Sequence, residues 1–118
     1  MPLDDTGKSG ESAARQFLEA RGLVFRAANV RSPFGEIDIV MENPKMAELV
    51  FVEVKTRRGI GFGSPQESVT AAKLAKLRSL VEWYRRHIRW AGHVRLDVVG
   101  VLLQSGREPD ITHIPYVG

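Results

Sequence analysis

Two alternating segments constrain this chain most: Gly35-Glu36-Ile37-Asp38-Ile39-Val40 and Leu49-Val50-Phe51-Val52-Glu53-Val54-Lys55-Thr56. Each repeats apolar and polar residues with a period of two, the pattern of a half-buried strand. Between them Glu42-Asn43-Pro44-Lys45 carries turn chemistry, since Asn accepts the bend and Pro44 stops a ladder. An antiparallel hairpin is the simplest arrangement. Glu36, Asp38 and Val40 are then expected on one face of the first strand, and Phe51, Glu53 and Lys55 on one face of the second. Same-face neighbours lie about 6.7 Å apart and paired strands about 4.8 Å apart. Asp38 and Glu53 can therefore converge, with Lys55 one step further along.

Charges within apolar strands are costly unless they are paired or bind a metal. One reading is an Asp/Glu/Lys cluster that neutralises itself at a sheet edge. The other is a Mg²⁺ site, because such hard cations take one or two carboxylates together with water and phosphate oxygens. A lysine beside them could orient the attacking water. The residues alone leave both open.

A chain of 118 residues is expected to form one domain around one core. We read 1–8 as a flexible N-terminus and 9–118 as that domain. Hydrophobic and charged fractions of 43% and 26% are those of an ordinary soluble protein. With no cysteine, disulfides and thiolate metal sites are excluded. There is no signal pattern and no apolar run of membrane-spanning length, so a cytoplasmic protein without a membrane partner is expected. The formal net charge of +3 leans towards an anionic partner, and its placement matters more than its size.

From Ser9 the pattern is helical, with Ala14, Phe17 and Leu18 along one side and Gly22 as a stop. Glu11 sits near the start of this helix, where the macrodipole favours a carboxylate. A strand is expected from Leu23 towards Val30, followed by a turn through Arg31-Ser32-Pro33-Phe34-Gly35. Arg31 is either a phosphate contact or a solvated charge. After Lys55, Arg57 and Arg58 lead into a glycine-rich loop, either a mobile basic segment suited to nucleic acid or a disordered stretch with an incidental arginine pair. Ser64-Pro65-Gln66-Glu67 reads as one helix start and Thr70 as a second. Leu74, Leu77, Val81, Tyr84 and Ile88 then mark a helix to about Arg89. Lys73, Lys76, Arg78, Arg85 and Arg86 make its other side basic, a candidate nucleic-acid surface. Val94–Leu103 reads as a central strand in which Arg95 and Asp97 form a local ion pair, and Ile111–Ile114 reads as an edge strand. His87, His93 and His113 show no metal-ligand spacing.

This order and motif resemble the PD-(D/E)xK nuclease superfamily, whose restriction-endonuclease-like core is a mixed sheet flanked by helices. A narrower resemblance is to the bacterial YraN family, itself similar to archaeal Holliday-junction resolvases. It is carried by Gly10-Glu11, Asn29, Arg31, Phe34-Gly35-Glu36-Ile37-Asp38, Phe51-Val52-Glu53-Val54-Lys55-Thr56-Arg57, Phe62-Gly63-Ser64-Pro65 and Arg95-Leu96-Asp97-Val98-Val99.

The resemblance implies an α/β fold in the order α-β-β-β-α-β-β, with a central mixed five-stranded sheet and two main helices. It makes Asp38 and Glu53 ligands of Mg²⁺ or Mn²⁺ and sets Lys55 beside the attacking water. Glu11 matches an acidic residue on the first helix of the resolvases, and Glu36 would be an outer ligand. The proline of the superfamily motif is absent, Ile37 standing before Asp38. The implied activity is metal-dependent endonucleolytic cleavage of branched DNA by a two-fold dimer. Arg31, Arg57, Arg58, Lys73, Lys76 and Arg78 are the expected nucleic-acid contacts. The charge of Lys55 is expected to be strengthened by the two carboxylates. The alternative is a nucleic-acid-binding module whose nuclease site is vestigial or depends on a partner.

Overall fold

A computed structural model describes residues 6–58 and 69–117. Its elements are α1 (Thr6–Ala20), β1 (Val24–Ser32), β2 (Gly35–Asn43), β3 (Glu48–Arg58), α2 (Ala71–His87), β4 (His93–Leu103) and β5 (Asp110–Ile114). The fold is α/β in the expected order, and the strands form one sheet ordered β1-β2-β3-β4-β5. The first three strands meander antiparallel, β3 and β4 are parallel, and β5 returns antiparallel at the edge. The parallel step needs a long crossover, and α2 supplies it.

The two helices cover opposite faces of the sheet. Along β3, Val50 and Val52 pack with Ala14 and Leu18 of α1, whereas Leu49 and Phe51 pack with Leu77, Leu80 and Val81 of α2. This alternation is what a strand buried on both faces requires. Phe51 adds an edge-on ring contact with Tyr84, the centroids 5.6 Å apart.

Helix ends depart slightly from expectation. α1 begins at Thr6, three residues before the helical start expected at Ser9. Thr70 caps α2 as the sequence signals, its hydroxyl accepting from the Lys73 N–H at 3.2 Å. The helix stops at His87 rather than near Arg89, where the chain turns left-handed at φ 56°. The expected helix start at Ser64–Glu67 and most of the glycine-rich loop lie outside the described residues.

Gly10 fixes how closely α1 approaches the sheet. A Cβ there would overlap the Thr56 side chain of β3, with Thr56 Cβ and Cγ2 each at 2.7 Å. No rotation of Thr56 relieves a clash that includes its own Cβ. Gly10→Ala is expected to lower stability by about 1–3 kcal/mol, the usual cost of overpacking. Thr56→Ala in the same chain should restore part of the loss, since it removes two of the three overlapping atoms. Urea denaturation of the single and double variants checks this, and an unchanged midpoint in Gly10→Ala would mean that α1 can shift freely.

Candidate functional site

Pairing breaks where the hairpin carries its acids. β1 pairs with β2 through Ala28↔Ile39 and Val30↔Ile37, passing over Asn29 and Asp38 between them. Asn29 is left-handed at φ 52°, a conformation that Asn accepts more readily than most residues. Ile37 and Val40, three apart, consequently share the core beneath α2, while Ile39 packs on the α1 side. Strict alternation of Glu36, Asp38 and Val40 on one face is thus broken at Asp38.

On its other side β2 parts from β3 at the same level. Their register runs from Asn43↔Glu48 to Ile39↔Val52, and Asp38 and Glu53 come next. There the Val54 N–H donates to Asp38 Oδ2 at 2.7 Å, so a side chain replaces a ladder bond. β3 meanwhile continues along β4 as far as Arg58↔Leu103. The acidic pair therefore sits at the mouth of a fork between two strands.

Asp38 and Glu53 lie close enough for each carboxyl to act on the other. Burial pushes the Asp38 carboxyl up to about 7; the Val54 N–H opposes this, and the charges of Glu53 and Glu11 add to it. Glu53 is buried, and its Oε2 lies 2.6 Å from Lys73 Nζ and 4.0 Å from Lys55 Nζ. Lys73 was expected on the nucleic-acid surface, but the first turn of α2 brings it into the site. It also corrects the expectation for Lys55. The hydrogen-bonded Lys73 and burial lower the proton affinity of Lys55, outweighing the attraction of Glu53 and Asp38. Burial works against the Lys73 charge too, yet hydrogen bonds with Glu53 and Lys55 raise its affinity. Of two adjacent amines, Lys73 is the better placed to keep its proton.

Glu11 enters from α1, held close by the contact of Gly10 with Thr56. Burial raises its proton affinity, the Asn29 side-chain hydrogen bond counteracts, and the charges of Glu36 and Glu53 add to the rise. Beside it opens a cleft of about 310 Å³ lined by Ser12, Phe25 and Asn29. Glu36 stays exposed and faces Arg31 at 3.8 Å, which is an outer position.

Among the described residues no three His, Cys, Asp or Glu side chains form a ready-made metal-ligand set. Among these residues an all-protein cage is thus not built. A Mg²⁺-type site needs less, one or two carboxylates with water and phosphate oxygens completing it. A partly buried and a buried carboxylate side by side, the first raised to about 7, are the donors a divalent cation neutralises. The Asp38–Glu53 pair fits such a two-carboxylate site.

Residues 10–101 match the uncharacterised protein family UPF0102. The chain belongs to this family. A UPF0102 protein of Renibacterium salmoninarum is 43% identical over 97% of this chain and 96% of its own length. Those of Rhodococcus opacus and Clavibacter michiganensis are 42% and 45% identical over 92% and 91% of this chain and 91% and 90% of theirs. The UPF0102 match spans every residue assigned to the site, from Glu11 to Lys73.

The expected nucleic-acid contacts divide into groups. Arg57 and Arg58 end β3 just beyond Lys55. Lys76 and Arg78 lie exposed on α2, and Arg31 is exposed at the end of β1. Lys73 contacts Glu53 of the acidic pair, a placement that tertiary docking of α2 creates. Asn29 is a further participant that periodicity does not reveal, although an Asn inside a strand run marks a place where the chain can turn left-handed.

Proposed function

We propose that this protein is a Mg²⁺- or Mn²⁺-dependent DNA endonuclease of the PD-(D/E)xK type, selective for branched DNA. The observation that carries the reading is the fork itself. Asp38 and Glu53 meet where two strands separate, with Lys55 and Lys73 against them. Asp38 and Glu53 would hold the cation, with Glu11 and Glu36 further out. When bound, the cation supplies a Lewis acid for a phosphate oxygen. Lys55 would stand beside the attacking water and orient it. Lys73, which keeps its charge, balances Glu53 and faces the charge that accumulates on the phosphate. Arg57 and Arg58 extend the same strand as backbone contacts, which position a duplex without reading its sequence. A two-fold dimer would set two such sites for paired cuts.

The second reading, a nucleic-acid-binding module with a partner-dependent site, draws on the Lys73–Glu53 ion pair at 2.6 Å. An ammonium already neutralises the carboxylate that a cation must share. End-labelled four-way-junction, flap, single-stranded and duplex DNA, incubated with Mg²⁺ or Mn²⁺ at matched salt, separate the two readings. Metal-dependent cutting, strongest on branched substrates and lost in Asp38→Asn and Lys55→Ala, is the expected result. Cutting that survives both substitutions would remove the site assignment, and binding without cutting would favour the module.

A further inference from the structure

Away from the acidic pair, α2 and the turn between β1 and β2 enclose a groove of about 700 Å³. One wall is Phe34, which stays 46% exposed at the tip of the turn. The turn is fixed rather than loose, because the Ser32 hydroxyl accepts from the Phe34 N–H at 3.0 Å and donates to the Gly35 carbonyl at 3.1 Å. The other wall is α2, where Trp83 and His87 stack one turn apart, their centroids 5.0 Å apart and their planes within 14°. Arg78 and Arg86 line the same groove. Its acid, Glu82, is engaged by Arg85 at 2.8 and 3.2 Å, so the groove keeps a positive balance.

We propose that this groove takes an unpaired nucleobase, stacked against Trp83 and Phe34, while Arg78 and Arg86 hold the neighbouring phosphates. Flat aromatic faces with cations beside them are what single strands bind, because every base has a π-face and every linkage a charge. A groove of this size lies within the roughly 300–1,000 Å³ that accommodates organic ligands. Its distance from the acidic pair suits a branch point. Trp83 lies ten residues along α2 from Lys73, about 15 Å at the helical rise. At about 3.4 Å per phosphate along one strand, this is roughly four nucleotides. A base left unpaired at a junction would seat in the groove while the phosphate to be cut lies at the fork. The inference rests on the nucleic-acid reading above and gives it a specific substrate feature.

The test is fluorescence anisotropy in EDTA, which prevents cleavage, with labelled oligo-dT, oligo-rU and a blunt duplex of equal length. Trp83→Ala and Phe34→Ala are each expected to weaken single-strand binding about tenfold, within the range a stacked base contributes. Duplex binding should stay within about twofold, and Trp83→Phe should retain most of the single-strand affinity. The DNA and RNA arms show which sugar the strand carries. Circular dichroism checks that the variants fold, and Phe34, exposed at a turn, gives a substitution independent of the helix. Equal losses on single strand and duplex, or no loss in either variant, would overturn the base-stacking site and leave the nucleic-acid reading standing. A wild-type protein that binds none of the three probes would overturn both. A change of oligomeric state in Trp83→Ala on gel filtration, with single-strand affinity unchanged, would reassign the groove to a second copy of this chain.

Discussion

Replacing Asp97 by alanine is expected to cost about 3–5 kcal/mol of stability, the largest loss from a single polar substitution in this fold. Asp97 is wholly buried on β4 and satisfies three elements at once. Arg95 reaches both its oxygens, at 3.1 and 3.0 Å, His113 Nε2 on β5 lies at 2.7 Å, and the Tyr116 N–H donates at 3.1 Å. Arg95 also contacts Glu48 at the start of β3 at 3.2 Å, so the network ties β3, β4, β5 and the C-terminal segment together. Without Asp97, a largely buried guanidinium keeps only part of its counter-charge, and the Tyr116 N–H loses its acceptor. The loss reaches the candidate site, because Asp97 pairs in register with Val52, the residue before Glu53. Urea denaturation should show the midpoint falling, and amide exchange should show Asp110–Ile114 released first. Asp97→Asn, which keeps the shape and some hydrogen bonds, should lose less. A loss below about 1 kcal/mol in Asp97→Ala would mean that the network contributes little.

Much of this architecture was legible because strong local signals agree with one another. The period-two runs around Asp38 and Glu53 gave the hairpin, the Asn43-Pro44 turn gave its reversal, and Thr70 gave the start of α2. The adjacency of Asp38 and Glu53 followed from the hairpin register, although the alternation assumed with it did not hold. What could not be read depends on tertiary placement. Lys73 lies twenty positions after Glu53, across residues 59–68, and periodicity offers it only a place on a basic helix face. Docking of α2 turns that surface cation into a partner of Glu53 and reverses the expected shift at Lys55. The interruption at Asn29 and Asp38 was equally hidden, because strict alternation is the default that sequence patterning assumes. The Arg95–Asp97 pair was visible as a local ion pair. That His113 and Tyr116 complete it was not, because their contacts form only when β5 and the C-terminal segment return to β4.

Asp38→Asn should, by contrast, make the metal-free protein more stable at pH 8. The Asp38 carboxyl is raised from 3.8 to about 7 in the folded chain, by burial first and then by the charges of Glu53 and Glu11. Between those two values the folded state holds a proton that the unfolded state has lost, so stability falls as pH rises through this window. Below about pH 4 both states are protonated and the penalty vanishes, whereas above about pH 7 it is present in full. An asparagine carries no such charge. Its carbonyl can still accept from the Val54 N–H, and its amide can donate to Glu53. The expected gain is on the order of 1–2 kcal/mol at pH 8, reduced from the full shift because water reaches part of the group. It should appear as a rise of about 3–8 °C in Tm in EDTA. The gain should shrink as pH falls from about 7 towards 4 and disappear near pH 3.5. Mg²⁺ should raise the Tm of the wild type at pH 8, where Asp38 is ionised, and leave the variant unchanged, since a ligand that binds only the folded state stabilises it. A variant less stable than wild type at pH 8 would show that the carboxylate is held by its neighbours rather than strained by them. Stability lost to an ionised acid, and recovered by adding a cation, is the signature of a side chain kept for binding rather than for folding.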